Sequence, residues 1–265
     1  MLNSSLQVLF LGDIVSKLGR QGIKRFLQDH RDQYDIVIAN CENTSGGKGI
    51  TKNHALELKE AGIDIFTSGN HIWRKKDIIP YMDELSILRP LNYPPKTPGF
   101  GCKIIPVEDN VSIAVINLMG RIFMGNPIDC PFRSIEEEIQ RVREITPLIF
   151  VDFHAETTSE KKAMGFFLDG KVSCMVGTHT HIQTHDAQIL PQGTGYITDA
   201  GMCGAYHSVI GVQSDIIIQT YLTQRPTMFE IETKGPTIIS YVHVDIDIES
   251  AKTTYIRGDY ALYED

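Results

Sequence analysis

The chain has 265 residues, 42% hydrophobic and 22% charged, with a formal net charge of −8. A chain this long buries a substantial core without a metal, so a metal site in it serves chemistry rather than folding. The acidic balance and the scattered Lys and Arg argue against stable binding to duplex nucleic acid, which needs many cationic phosphate contacts, while a small phosphate substrate is compatible with a locally cationic metal site.

No internal repeat or low-complexity linker divides the sequence, and one domain over 1–265 is expected. VLFLGD (8–13) reads as a buried strand ending on an acid. QGIKRFLQDH (21–30) is an amphipathic helix with Ile23, Phe26 and Leu27 on one face. DIVIAN (35–40) is a second strand, and TKNHALELKEAG (51–62) a helix with Thr51 as N-cap and Gly62 as its stop. IDIFTSGNH (63–71) is a strand that runs into a loop, after which the Pro-rich stretch 88–101 breaks the rhythm. VSIAVINLMG (111–120) is a strand, and SIEEEIQRV (134–142) a helix opening on a capping box from Ser134 to Glu137. LIFVDFH (148–154), SEKKAMGFFL (159–168) and KVSCMVG (171–177) read as strand, helix and strand. The C-terminal part is strand-rich and helix-poor. The alternation predicts parallel strands with helices outside, and the later part predicts a second sheet, making a layered α/β sandwich.

The five cysteines, Cys41, Cys102, Cys130, Cys174 and Cys203, form no CxxC pair and are expected as free thiols. The N-terminal stretch lacks a basic n-region, and no segment reaches the ~18–20 apolar residues of a membrane helix. A cytoplasmic location without membrane association is therefore expected.

The predicted strands finish on residues that can bind a cation: Asp13, Glu42 with Asn43, Asn70 with His71, His154, and His179 with His181. Taken singly, Asp13 could cap a helix and Asn70 could occupy a turn. Together, at the carboxyl ends of parallel strands, they would converge on one edge, where open α/β sheets bind ligands. In an extended GTHTH segment, His179 and His181 would face one side and Thr180 the other. The set exceeds the four to six donors of one cation and suits two. Two cations about 3.5–4 Å apart, sharing a carboxylate, suit in-line displacement at phosphorus.

LGD (11–13), SGNH (68–71), FH (153–154) and GTHTH (177–181) resemble the successive motifs of the calcineurin-like metallophosphoesterases. CENTSGGKGIT (41–51), NLMGRIFM (117–124), HAETTSEKKA (154–163) and YITDAGMCG (196–204) are similar to its YmdB-like branch. The resemblance implies a sandwich of two β-sheets flanked by α-helices, a dinuclear metal centre of iron, manganese or zinc, and hydrolysis of phosphodiesters such as 2′,3′-cyclic nucleotides by metal-bound hydroxide. One metal would take Asp13, Glu42, Asn43 and His181, and the other Glu42, Asn70, His154 and His179. His71 would be the catalytic acid beside them. The chain departs from the wider superfamily at Val15, where a histidine ligand is usual, and Asn43 would replace that ligand. A phosphomonoesterase or protein phosphatase stays open as an alternative, as do a regulatory scaffold and a homo-oligomer.

Other features are set outside the site. SGGKGIT (45–51) lacks the spacing of a nucleotide P-loop. His30, His54, His185, His207 and His243 fall outside the motifs, and Arg121 and Arg133 are equally suited to surface ion pairs.

Overall fold

The computed structural model describes residues 4–108 and 110–264. In chain order the elements are β1 (Ser5–Leu11), β2 (Asp13–Ile14), α1 (Ser16–His30), β3 (Ile36–Asn40), α2 (Lys52–Glu60), β4 (Ile65–Thr67), β5 (Cys102–Glu108), β6 (Val111–Met119), α3 (Pro131–Arg143), β7 (Ile149–His154), α4 (Thr158–Leu168), β8 (Cys174–Thr178), β9 (Gln188–Ile189), β10 (Gly195–Ile197), β11 (Met202–Ala205), α5 (Ser214–Thr223), β12 (Thr237–Asp247) and β13 (Thr253–Tyr263).

One sheet has the order β2-β11-β12-β1-β3-β4, with β13 also paired to β12, and the other has the order β5-β6-β7-β8-β10-β9. β1, β3 and β4 run parallel, as do β6, β7, β8 and β10. The apolar runs of β3 and β7 are buried at every residue. That is the pattern of strands covered on both faces. Between the sheets Phe10 stacks on Phe150, with ring centroids 5.6 Å apart, among Val8, Ile38, Val115 and Val176. Outside the first sheet, Ile23, Phe26 and Leu27 of α1 and Leu58 of α2 pack with Leu9, Val37 and Ala39. Outside the second, Ile135 and Val142 of α3 and Met164 and Leu168 of α4 pack with Ile116, Val151 and Met175. The expected two-sheet sandwich flanked by helices is what forms.

Three details differ from the sequence-based expectation. Of the C-terminal strands, β10 joins the second sheet, but β12 and β13 do not. β12 enters the first sheet antiparallel to β1, while the middle of the chain builds the second. Alternating burial along β12 marks it as a strand but carries no information about its partner. α1 begins at Ser16, five residues earlier than its periodicity suggests. Gly19 weakens the helical signal there, yet it lets the helix approach the sheet, since a Cβ would collide with the Cys203 carbonyl oxygen. α3 begins at Pro131, with Cys130 as an N-cap lacking a side-chain bond, so Ser134 lies inside the helix and makes no capping box. Proline's preset φ suits the first helical turn and decides the start.

The expected cap of α2 is present: the Thr51 hydroxyl accepts from the His54 amide at 3.4 Å, and Gly62 follows the helix with φ +109°. The five cysteines are free, and no described helix is long and apolar enough to cross a membrane. Thr51→Ala is expected to destabilise the chain by about 1 kcal/mol, read as a lower urea midpoint at unchanged slope.

Candidate metal centre

Both sheets deliver the carboxyl ends of their parallel strands to one edge. Asp13 stands on β2, Glu42 and Asn43 follow β3, Asn70 and His71 follow β4, His154 is the last residue of β7, and His179 and His181 follow β8. The fold joins all eight residues into one contact network. His154 Nε2 lies 3.1 Å from Glu42 Oε1, 3.0 Å from His179 Nδ1 and 3.3 Å from Asn70 Oδ1. Glu42, His154 and His179 each offer a donor atom within 4.8 Å of the others. On the other side, His181 Nε2 lies 2.9 Å from Asn43 Nδ2 and 3.8 Å from Asp13 Oδ1. Asp13 Oδ2 accepts the His179 amide at 3.1 Å. Asp13 caps no helix, because the N-cap of α1 is Val15.

The hydrogen-bond partners of the imidazoles fix their orientation and leave one nitrogen of each of these histidines facing the cluster. His181 Nδ1–H donates to the Ile210 carbonyl at 2.9 Å, so Nε2 faces Asp13. His179 Nε2–H donates to Glu156 at 2.9 Å, so Nδ1 faces His154. Burial, then the neighbouring His154, lowers the His179 pKa to about 3, which keeps this ring neutral with a free lone pair. His154 Nδ1–H donates to Thr178 Oγ1 at 2.9 Å, and Thr178 donates on to Asp152 at 2.7 Å. Asn40 completes this relay with a 3.0 Å bond to Asp152. Such outer partners orient a ligating histidine and raise its basicity.

The residues fit a cation. Asp13 is fully buried, and its Oδ1 has no hydrogen-bond partner among the described residues. A carboxylate oxygen withdrawn from water without a donor is costly, and burial accordingly raises the Asp13 pKa. A cation beside Oδ1 removes that penalty. Burial also opposes ionisation of Glu42, but His154 and His71 outweigh it and hold the carboxyl well below the usual carboxylate range. Mixed oxygen and imidazole donors are a set that can hold a transition-metal cation. Gly69 makes the approach feasible, since a Cβ there would collide with His154 Cδ2 and Glu42 Oε2.

The pairing of His179 and His181 has a different cause from the one their spacing suggests. They do not lie on an extended strand. β8 ends at Thr178, and both residues have left-handed backbones, with φ +102° and +66°. Thr180 does turn away, as expected, to donate to Asp199 through its amide at 3.1 Å and its hydroxyl at 2.8 Å. In the glycine-rich loop 45–51, Ser45 N donates to the Gly49 carbonyl at 2.8 Å. His54 bonds Ser45 and His243 bonds Asp245, both outside the network.

Asn40, Asp152, Thr178 and Glu156 were not anticipated. Asp152 had a legible signal: an acid two residues before His154 inside an apolar strand shares its face. Asn117 supports the site from further out. It bonds Ser68 through both amide atoms, at 2.8 and 2.9 Å, and so fixes the segment leading to Asn70.

A two-sheet sandwich with these residues at its strand ends is the arrangement that the resemblance to the metallophosphoesterases implies. The profile of the YmdB-like protein family matches residues 9–258, and the chain belongs to that family. It is 42% identical to the 2′,3′-cyclic-nucleotide 2′-phosphodiesterase of Bacillus subtilis (strain 168), covering 98% of this chain and 100% of that one. The solved structure of a novel phosphatase of Mycoplasma pneumoniae superposes with a TM-score of 0.93 at 35% identity, covering 100% of this chain and 96% of that one. A hypothetical protein of Thermus thermophilus superposes at 0.91 with 38% identity, covering 98% of this chain and 100% of that one. The chain is accordingly a phosphoric ester hydrolase. Thr178→Val, which breaks the relay behind His154, is expected to weaken Mn²⁺ binding by about 10–100-fold in a chelator-competition titration.

Proposed function

We propose that this phosphoesterase hydrolyses 2′,3′-cyclic nucleotides within one catalytic domain spanning 1–265, using two cations. The observation that carries the reading is the buried, donorless Asp13 Oδ1 inside a network of carboxylates, carboxamides and imidazoles. Asp13, Glu42, Asn43 and His181 would hold one cation, and Glu42, Asn70, His154 and His179 the other, with Glu42 shared. Iron or manganese suits this shell best, and zinc also fits. Once bound, the cations supply Lewis acidity to the phosphoryl oxygens and acidify water towards neutral pH.

The protein's own residues then perform two tasks. The buried strand ends hold the donors rigid and keep bulk water from the anionic cluster, so the cyclic phosphate meets a preorganised site. His71 supplies the proton. Its Nδ1 is held by Asn43 Oδ1 at 3.0 Å and lies 3.4 Å from Glu42 Oε1, which leaves Nε2 as the nitrogen for the substrate. The His71 side chain is 22% exposed, so it reaches the mouth of the site. A proton from Nε2 neutralises the departing ribose oxygen as the cyclic ester opens. The similarity to a 2′-phosphodiesterase supports the 2′ oxygen in that role. Neither duplex nucleic acid nor a membrane is needed as a partner, and a cytoplasmic location fits a nucleotide substrate.

The test compares the Mn²⁺- or iron-loaded protein on 2′,3′-cyclic AMP, bis-p-nitrophenyl phosphate and the monoester p-nitrophenyl phosphate. The diesters are expected to react faster. His71→Ala is expected to lower kcat by about 10²–10⁴-fold with metal content unchanged, whereas Glu42→Ala loses metal as well as rate. Faster monoester cleavage moves the reading to a phosphomonoesterase. Wild-type rates in both variants overturn it.

A further inference from the structure

The loop that carries His179 and His181 is costly to hold, because two non-glycine residues within three positions adopt left-handed backbones. Something rigid must impose that shape, and the contacts converge on one carboxylate. Asp199 Oδ2 accepts the Thr180 amide at 3.1 Å, the Thr180 hydroxyl at 2.8 Å and Lys161 Nζ at 2.6 Å. Its Oδ1 accepts the Gly201 amide at 2.8 Å. The Asp199 backbone closes the far end of the same loop, since its amide donates to Thr184 Oγ1 at 2.9 Å and its carbonyl accepts the Thr184 amide at 3.0 Å. Gly201, fixed by Asp199, accepts the Asp13 amide through its carbonyl at 3.0 Å. One side chain therefore ties together the histidine loop and the residue that seats Asp13.

Lys161 is the counterpart that makes this arrangement sustainable. It projects from α4, both its side chain and that of Asp199 are essentially inaccessible, and an isolated charge at such depth is strongly disfavoured. Lys161 lies in SEKKA and Asp199 in TDAG, two stretches 38 residues apart that contribute nothing to the donor set itself. A buried ion pair stabilises a fold weakly compared with apolar side chains of the same volume. Its position beside the cluster points to a role other than stability.

We propose that Lys161 and Asp199 are positioning residues that set the separation between Asp13 and the His179–His181 pair, and thereby the affinity of the site for its cations. The proposal rests on the reading of Asp13, His179 and His181 as cation ligands. The side-chain hydrogen bonds of Lys161 and Asp199 go to each other, Thr180 and Gly201, and none goes to a side chain of the donor set. They act by geometry, through Thr180 and Gly201.

Geometry and charge make opposite forecasts for Lys161→Met and the same forecast for Asp199→Asn, so the lysine variant discriminates. Lys161→Met leaves an uncompensated anion near the site, which by charge alone tightens cation binding. Asp199→Asn leaves an uncompensated cation, which by charge alone weakens it. If the pair acts by positioning, both variants weaken Mn²⁺ binding by about 10–100-fold, as loss of an outer partner does at other metal sites. The measurement is an equilibrium titration of the metal-stripped full chain with Mn²⁺, following free Mn²⁺ by its electron paramagnetic resonance signal. Thermal melting of the same metal-free samples checks that folded protein is being titrated. Thr180→Val removes one of the loop's bonds to Asp199 and leaves the ion pair intact; it is expected to weaken binding in the same direction at a nearly unchanged melting temperature. Should the ion-pair variants fail to fold, this variant decides the matter. Tighter binding in Lys161→Met, or wild-type affinity in a folded Thr180→Val chain, overturns the proposal. Asp13→Asn serves as the control: if it binds Mn²⁺ as the wild type does, the ligand assignment has failed and not the positioning role.

Discussion

Two carboxylates, Asp13 and Glu42, are held out of water where the edges of two sheets meet, and the surrounding architecture answers their charge. A buried carboxylate is tolerated only when donors or cations surround it. Glu42 is answered from within the chain, by the His71 amide at 3.1 Å and the His154 ring at 3.1 Å. Asp13 accepts a hydrogen bond on Oδ2 alone, while His181 Nε2 stands 3.8 Å from Oδ1. The unbonded Oδ1 is the feature that the proposed cations would answer. The imidazoles are oriented from behind: each ring commits one nitrogen to a protein partner so that the other faces the acids.

The sandwich makes that concentration of polar groups sustainable. Side chains from five segments, spread from Asp13 to His181, meet because parallel strands in both sheets end at the same edge. The apolar lengths of those strands lie in three packed clusters, so the polar tips are fixed by well-packed backbones. Preorganisation of this kind lets donors and charges act on a phosphate without first rearranging. The relay Asp152–Thr178–His154 and the ion pair Lys161–Asp199 extend the same logic outward. Each converts a strand end or a loop into a position fixed to within one hydrogen bond.

Much of the site was legible from the order of residues. A polar side chain at the end of an apolar strand is visible in one dimension, and the eight residues that the fold brings into one network can all be read that way. The outer partners were harder to see. Thr178 and Asn40 are small or neutral polar residues at strand ends, a place such residues often occupy without function. Asp152 was detectable, because an acid in the middle of LIFVDFH cannot be buried without a partner. Lys161 looked like any lysine of an amphipathic helix until the fold placed Asp199 against it.

The sequence by itself determined the alternation of strands and helices, the chemistry at the strand ends, the cap at Thr51 and the family to which the chain belongs. These are local or ordered properties, carried by periodicity, residue type and motif. Only the tertiary structure decided that β12 pairs with β1, that α1 starts at Ser16, and that His179 and His181 converge through left-handed backbones rather than along a strand. Strand pairing, close helix packing and the hold of Asp199 on Thr180 all depend on contacts between residues far apart in the chain, and hydrophobic periodicity does not encode which distant partner a residue will meet.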